Sequence, residues 1–247
     1  MSIPGLDHWL ESPQGRYVIA WEQAQVDRIV TDVFGYNAIQ IGLPQRDFLR
    51  ANRIPLRQKA GEFGNVDVPC ELIALPFAAQ SLDLIVLPHV LEFHPAPHEL
   101  LREIERVLRP EGQLVIVGFN PISLWGATRH FKRRNGLFPW NGQYFSVLRI
   151  KDWLKLLAFD IDRGAFGCYR PPCQQRQWLR RWRFMELAGD RWWGFAGGVY
   201  VLRAIKRVHG MRLIEPKWRK QKMAARALRP ISGKLTQKTG QHEISND

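Results

Sequence analysis

Residues 71–119, ELIALPFAAQSLDLIVLPHVLEFHPAPHELLREIERVLRPEGQLVIVGF, hold two short apolar runs on either side of one amphipathic segment. The first run, LDLIVL at 82–87, is almost continuously apolar, the pattern of a strand covered on both faces of a parallel sheet. In HELLREIERVL, residues 98–108, Leu100, Leu101, Ile104, Val107 and Leu108 form one stripe, and Glu and Arg fill the opposite face. That spacing predicts a helix. Arg109-Pro110-Glu111-Gly112 ends it, and QLVIVGF at 113–119 reads as a further buried strand. Strand, crossover helix and strand over about 35 residues make a right-handed βαβ unit.

Outward from this unit the pattern stays α/β. Apolar positions in residues 17–34 recur at near-helical spacing and stop at Gly35. NAIQIGL, 37–43, reads as a buried strand, and Asp47 to Ala51 as the start of a helix. Residues 52–69 are broken by Gly and Pro and suggest no element. Later, IKDWLKLL at 150–157 predicts a helix, while 159–164 and 198–205 predict an antiparallel pair of strands. The organisation is an N-terminal helical segment (1–34), an α/β domain (35–205) and a basic tail (206–247).

Composition limits the function classes. The 247 residues are 45% hydrophobic and 24% charged, which excludes a disordered, fibrous or coiled-coil chain. No apolar run approaches the ~20 residues of a membrane span. The first residues lack the basic-then-apolar order of a secretory signal, so a cytoplasmic protein is expected. Cys70, Cys168 and Cys173 are too sparse to suggest a zinc site and read as reduced thiols. The net charge is +13, and residues 203–247 carry twelve basic side chains against three acidic ones. Such a tail either attracts nucleic acid or anionic lipid without sequence preference, or is a solvated extension.

Three signals in fixed order give residues 71–119 a likeness to a known family. Leu75-Pro76-Phe77 precedes Ser81-Leu82-Asp83, Val90-Leu91 leads to Pro95-Ala96-Pro97, and Leu101-Arg102-Glu103-Ile104 runs to Leu108-Arg109-Pro110-Glu111-Gly112. Together they resemble the second half of a class I S-adenosylmethionine-dependent methyltransferase domain of the type 11 group. The resemblance implies a Rossmann-like sheet with helices on both faces, S-adenosylmethionine as cofactor, and a small-molecule methyl acceptor. It also implies a cofactor lying across the carboxyl ends of the parallel strands. Displacement at an activated sulfonium methyl needs positioning more than a general base, so no universal catalytic residue carries over.

Site candidates follow from that likeness. Glu71, four positions before Leu75, stands where the family contacts the adenine amino group, with Leu72 beside it. Pro88 and His89 would pass the methionine part of the cofactor, and His89 and Glu92 are the titratable groups of that loop. Where the family has an acid and then a glycine-rich loop, this chain has Gln40-Ile41-Gly42-Leu43-Pro44-Gln45-Arg46. Only Gly42 keeps the pattern; Gln40 replaces the acid, and Pro44 and Arg46 replace glycines. Glu62 lies at a suitable distance to be the ribose-binding acid, but RQKAGEFG around it does not read as a strand. Asn120, just past a strand end, is a second catalytic candidate beside His89, or else a turn former, with Phe119 and Trp125 as an aromatic wall or as core. The basic and aromatic residues 129–145 suggest a lid. In QQRQWLRRWRF, 174–184, Trp178 and Trp182 read first as the buried face of a helix and second as stacking platforms for bases. The alternative to a methyltransferase is a binding or regulatory module that keeps this fold after its cofactor loop has decayed, contacting nucleic acid through the tail.

Overall fold

The computed structural model describes residues 5–132, 138–173 and 175–207. Two helices come first, α1 (Leu6–Glu11) and α2 (Pro13–Val30). Pro13 opens α2 where a missing N–H costs nothing, and the Ser12 hydroxyl accepts from the Gly15 N–H. The strands are β1 (Asn37–Ile41), β2 (Leu56–Gly61), β3 (Val68–Pro69), β4 (Leu82–Pro88), β5 (Leu108–Phe119), β6 (Phe159–Gly167) and β7 (Val199–Lys206). Between β4 and β5 lie α3 (Val90–Phe93) and α4 (Pro97–Val107). After β5 come α5 (Leu124–Lys132) and α6 (Val147–Leu156), and between β6 and β7 α7 (Arg176–Arg181) and α8 (Phe184–Trp192).

The strands form one sheet in the order β3-β2-β1-β4-β5-β7-β6. Neighbours from β3 to β5 run parallel, and β7 is antiparallel to both β5 and β6. The α/β architecture with helices on both faces is therefore as the sequence implies. One face is covered by α1 and α2 around Val18, Val26, Val30 and Phe48, the other by α4 and α6 around Leu100, Leu101, Ile104 and Ile150. The stripe read from 98–108 is the buried face of α4, with Leu100, Leu101, Ile104 and Val107 at 0% exposure.

The structure also explains why 75–77 and 103–106 occur as a set. Glu103 accepts from the Leu75 N–H at 2.8 Å and pairs with Arg106, which donates to the carbonyls of Leu75 and Phe77. Helix α4 thus clamps the loop ahead of β4. Asp83 plays the same part for β1, accepting from the N–H groups of Tyr36 and Asn37.

Several expectations need correction. Residues 47–51 are not helical. Gln40 takes the Phe48 N–H, the Asp47 carboxylate takes the Leu49 N–H, and the Asn52 side chain takes the Ile54 N–H. Side chains that satisfy backbone donors locally hold a turn in place of a helix. Conversely, residues 56–61 do form a strand. Residues 109–112 do not separate helix from strand but bulge within β5, whose register against β4 shifts between Leu82 and Leu84. Of the suggested lid, residues 133–137 lie outside the described residues. Phe138, Trp140, Tyr144 and Phe145 are at most 8% exposed and belong to the core, as do Phe119 and Trp125. Trp178 is 47% exposed, and it is Leu179 that α7 buries. The tail from residue 208 onward lies outside the described residues. Among those described, no helix is long and apolar enough to cross a membrane.

Candidate active site

At the carboxyl ends of β1 to β4 a cleft of about 890 Å³ opens. Each strand contributes the residues that follow it: Gly42 to Pro44 after β1, Glu62 and Phe63 after β2, Glu71 and Leu72 after β3, and Pro88 to Val90 after β4. Ligands of open α/β sheets bind at such an edge.

The floor is set by the turn after β1. Gln40 is fully buried, and its amide donates to the carbonyls of Gly42, Leu43 and Arg46 at 2.8–3.0 Å, while its oxygen accepts from Phe48. Gln40, expected from the sequence at the cofactor, is here bonded to its own loop. All its hydrogen-bonding capacity shapes the loop, and it does not line the cleft. Gly42 has φ +90°, and a Cβ there would lie 2.4 Å from Val90 Cγ2. Here only glycine fits, which lets the backbone form the floor. Pro44 lines the cleft but packs against Gly64, where a Cβ would come within 2.7 Å of its ring, and Lys59 donates to its carbonyl at 2.9 Å. Arg46 is not among the lining residues. Of the two side chains that replace glycines, Pro44 thus borders the space without filling it and Arg46 stays outside it.

Two carboxylates reach the cleft from different strands. Glu71 lines it, with buried Leu72 beside it. Glu62, which the sequence leaves unassigned, follows directly on β2 and lines the same cleft. Its strand is hard to see because Leu56–Gly61 is exposed along its first residues, its outer neighbour being only two residues long.

His89 is the first residue after β4 and has φ +57°. It borders the cleft, yet its ring is 2% exposed and stacks on Phe119 with centroids 4.4 Å apart. Nδ1 lies 2.8 Å from Glu92 and Nε2 2.7 Å from Glu22 of α2. Burial alone would depress the imidazole, but the two carboxylates outweigh it and push its pKa up to about 10. Burial raises the Glu92 carboxyl, opposed by His89 and by the Phe119 N–H it accepts from. Both ring nitrogens are engaged by carboxylates, so neither is free to take a proton from a substrate. It joins α2, β4 and β5 beneath the cleft. Glu22 carries no motif in the sequence, and only the fold brings it to His89.

Asn120 is likewise engaged. Its amide donates to the carbonyls of Ile122, Phe195 and Gly197, and its oxygen accepts from the Ile122 N–H. It is 2% exposed and lies outside the cleft lining, so of the two readings the turn former is the observed one.

Comparison with known proteins agrees with this geometry. A methyltransferase-domain family profile matches residues 49–116. The chain is 34% identical over 157 residues to the protein YafS of Escherichia coli (strain K12), a match covering 63% of this chain and 65% of that one. A second curated relative, from Methanocaldococcus jannaschii, is 28% identical over 85 residues, covering 34% of this chain and 42% of that one. The chain thus spans less than two thirds of either relative. Among solved structures, a SAM-dependent methyltransferase of Thermotoga maritima, described as a "possible histamine N-methyltransferase", superposes with a TM-score of 0.55. The identity is 16%, over 81% of this chain and 99% of that one. A SAM-dependent methyltransferase of Archaeoglobus fulgidus gives 0.54 at 17% identity, over 76% of this chain and 94% of that one. Residues 49–116 thus match the methyltransferase-domain family, and the strand order and the superpositions give the chain the Rossmann-like fold of class I methyltransferases.

Proposed function

We propose that the chain binds S-adenosylmethionine in the cleft above Gly42 and transfers its methyl group to a small-molecule acceptor. The observation that carries this reading is the convergence of Glu62 and Glu71, from two different strands, on the glycine-floored cleft. The residues present fit the cofactor. Gly42 leaves a cradle that a Cβ would fill, Leu72 and Phe63 supply apolar walls for a purine, and two carboxylates stand where polar nucleoside groups need acceptors. In this assignment Glu62 accepts from the ribose hydroxyls, Glu71 from the adenine amino group, and the backbone of Pro88 and His89 borders the methionine end.

When bound, the cofactor supplies a methyl group already activated by its sulfonium charge. The chain's own contribution is to hold donor and acceptor in line and to exclude water. His89, paired twice and charged, keeps the post-β4 turn rigid and acts as a positioning residue.

Thermal unfolding with excess S-adenosylmethionine tests this. At a hundredfold excess over Kd the fold gains about 2.7 kcal/mol, roughly 5–10 °C in Tm. Glu62→Ala and Glu71→Ala each reduce that gain. An absent shift would favour the rival reading, a module that retains the fold without the cofactor.

A further inference from the structure

Between β6 and β7 the surface is unusual. Trp178, Phe184, Leu187, Trp192, Trp193 and Phe195 are 47–81% exposed within eighteen residues of chain. Helix α8 meets the body through Glu186, which pairs with Tyr17 and Arg170, and through its smallest residue. Gly189 is the one side of it that is buried, so close to Tyr169 that a Cβ would lie 2.3 Å from the ring. Its bulky apolar side chains therefore face outward. Ile122 approaches this segment through its backbone. The Asn120 amide that grips the Phe195 carbonyl at 2.8 Å also holds that of Ile122 at 3.2 Å, and the Ile122 side chain is 58% exposed. Exposed apolar surface of this extent marks an interaction site.

Its charge indicates the partner. Arg180, Arg181, Arg183 and Arg191 are exposed among these side chains, and Arg181 lies over the Trp178 ring at 6.0 Å. Against them the segment exposes one carboxylate, Asp190, because Glu186 is drawn inward to Tyr17 and Arg170. Tryptophan with aliphatic side chains, rimmed by arginine, matches the boundary between acyl chains and anionic headgroups. A second copy of the same face would set arginine against arginine. A nucleic acid gives exposed Leu187 and Ile122 nothing to stack on.

We propose that this face docks the protein peripherally on an anionic lipid bilayer. Docking is independent of the cofactor reading and is measured separately from it. The full chain is sedimented with vesicles of phosphatidylcholine alone and of phosphatidylcholine mixed with phosphatidylglycerol. Binding is expected to the mixed vesicles and to weaken with salt. Leu187→Ser/Trp192→Ser/Phe195→Ser keeps every cation of the face and the tail and lowers binding at least about tenfold. Arg180→Glu/Arg183→Glu/Arg191→Glu keeps the apolar groups and lowers it by about fivefold or more per arginine. Thermal shifts with S-adenosylmethionine, without vesicles, stay at the parent value in both variants if the cofactor reading holds, and report its failure separately. The proposal is overturned if the parent chain does not sediment, or if the apolar variant binds as well as the parent. It is equally overturned if the apolar variant loses instead self-association or binding to single-stranded RNA.

Discussion

Gly42 and His89 show how single residues set this site. Alanine at position 42 would have to hold φ +90° with its Cβ 2.4 Å from Val90 Cγ2. Strain of that kind costs about 1–3 kcal/mol. Gly42→Ala is therefore expected to fold with a lowered denaturation midpoint and to bind S-adenosylmethionine at least about tenfold more weakly by calorimetry. His89 makes stability depend on pH. Its folded pKa of about 10 lies above the ordinary 6.5, so its stabilisation is complete below 6.5 and is lost as pH rises towards 10. The unfolding free energy should fall across that window with a slope of up to about 1.4 kcal/mol per pH unit. His89→Gln, measured by urea denaturation over the same range, should flatten the slope and lower stability most at the acid end of the window, where the parent holds the cation between Glu22 and Glu92. A slope as steep in the variant as in the parent would contradict this account. Gly42 was legible from motif order alone. Gln40 and Asn120 were not, since whether a buried amide faces a ligand or its own loop depends on carbonyls whose positions the chain order does not reveal.

Elements differ in how plainly they announce themselves. Helix α4 and strands β4 and β5 are buried on a full stripe or on both faces, so their periodicity is unmistakable. Strand β2 is half exposed beside a two-residue neighbour, and the missed strand concealed Glu62. Residues 47–51 carry helix-compatible side chains, but Gln40, seven residues upstream of Asp47, captures the Phe48 N–H. Trp178 and Trp182 have helical spacing, yet spacing says nothing about which face meets the core. The clamp of α4 on the loop ahead of β4 belongs to this scale as well. Glu103→Ala leaves the Leu75 N–H without its acceptor and Arg106 without its carboxylate. It is expected to cost about 1–3 kcal/mol by urea denaturation. Because that loop follows Glu71 and Leu72, the variant should also loosen cofactor binding. Asn120→Ala, by contrast, should destabilise the chain by a similar amount, through the freed carbonyls of Phe195 and Gly197, and leave cofactor affinity unchanged.

At the scale of the whole molecule, the sheet order places four strand ends around one cleft and sets the exposed aromatic and arginine face elsewhere, between β6 and β7. The sequence resemblance covered the half of the domain that fixes topology, and the first half, where the cofactor loop departs from the family pattern, became interpretable only once Pro44 was seen against Gly64 and Arg46 outside the cleft. The central claim is that this altered loop still admits a sulfonium nucleoside. Titration calorimetry of the full chain with S-adenosylmethionine, alongside Gly42→Ala and Glu62→Ala, tests it most directly. The account predicts one saturable site per chain that both substitutions weaken. No measurable heat of binding in the parent chain, or a site indifferent to both substitutions, would contradict it.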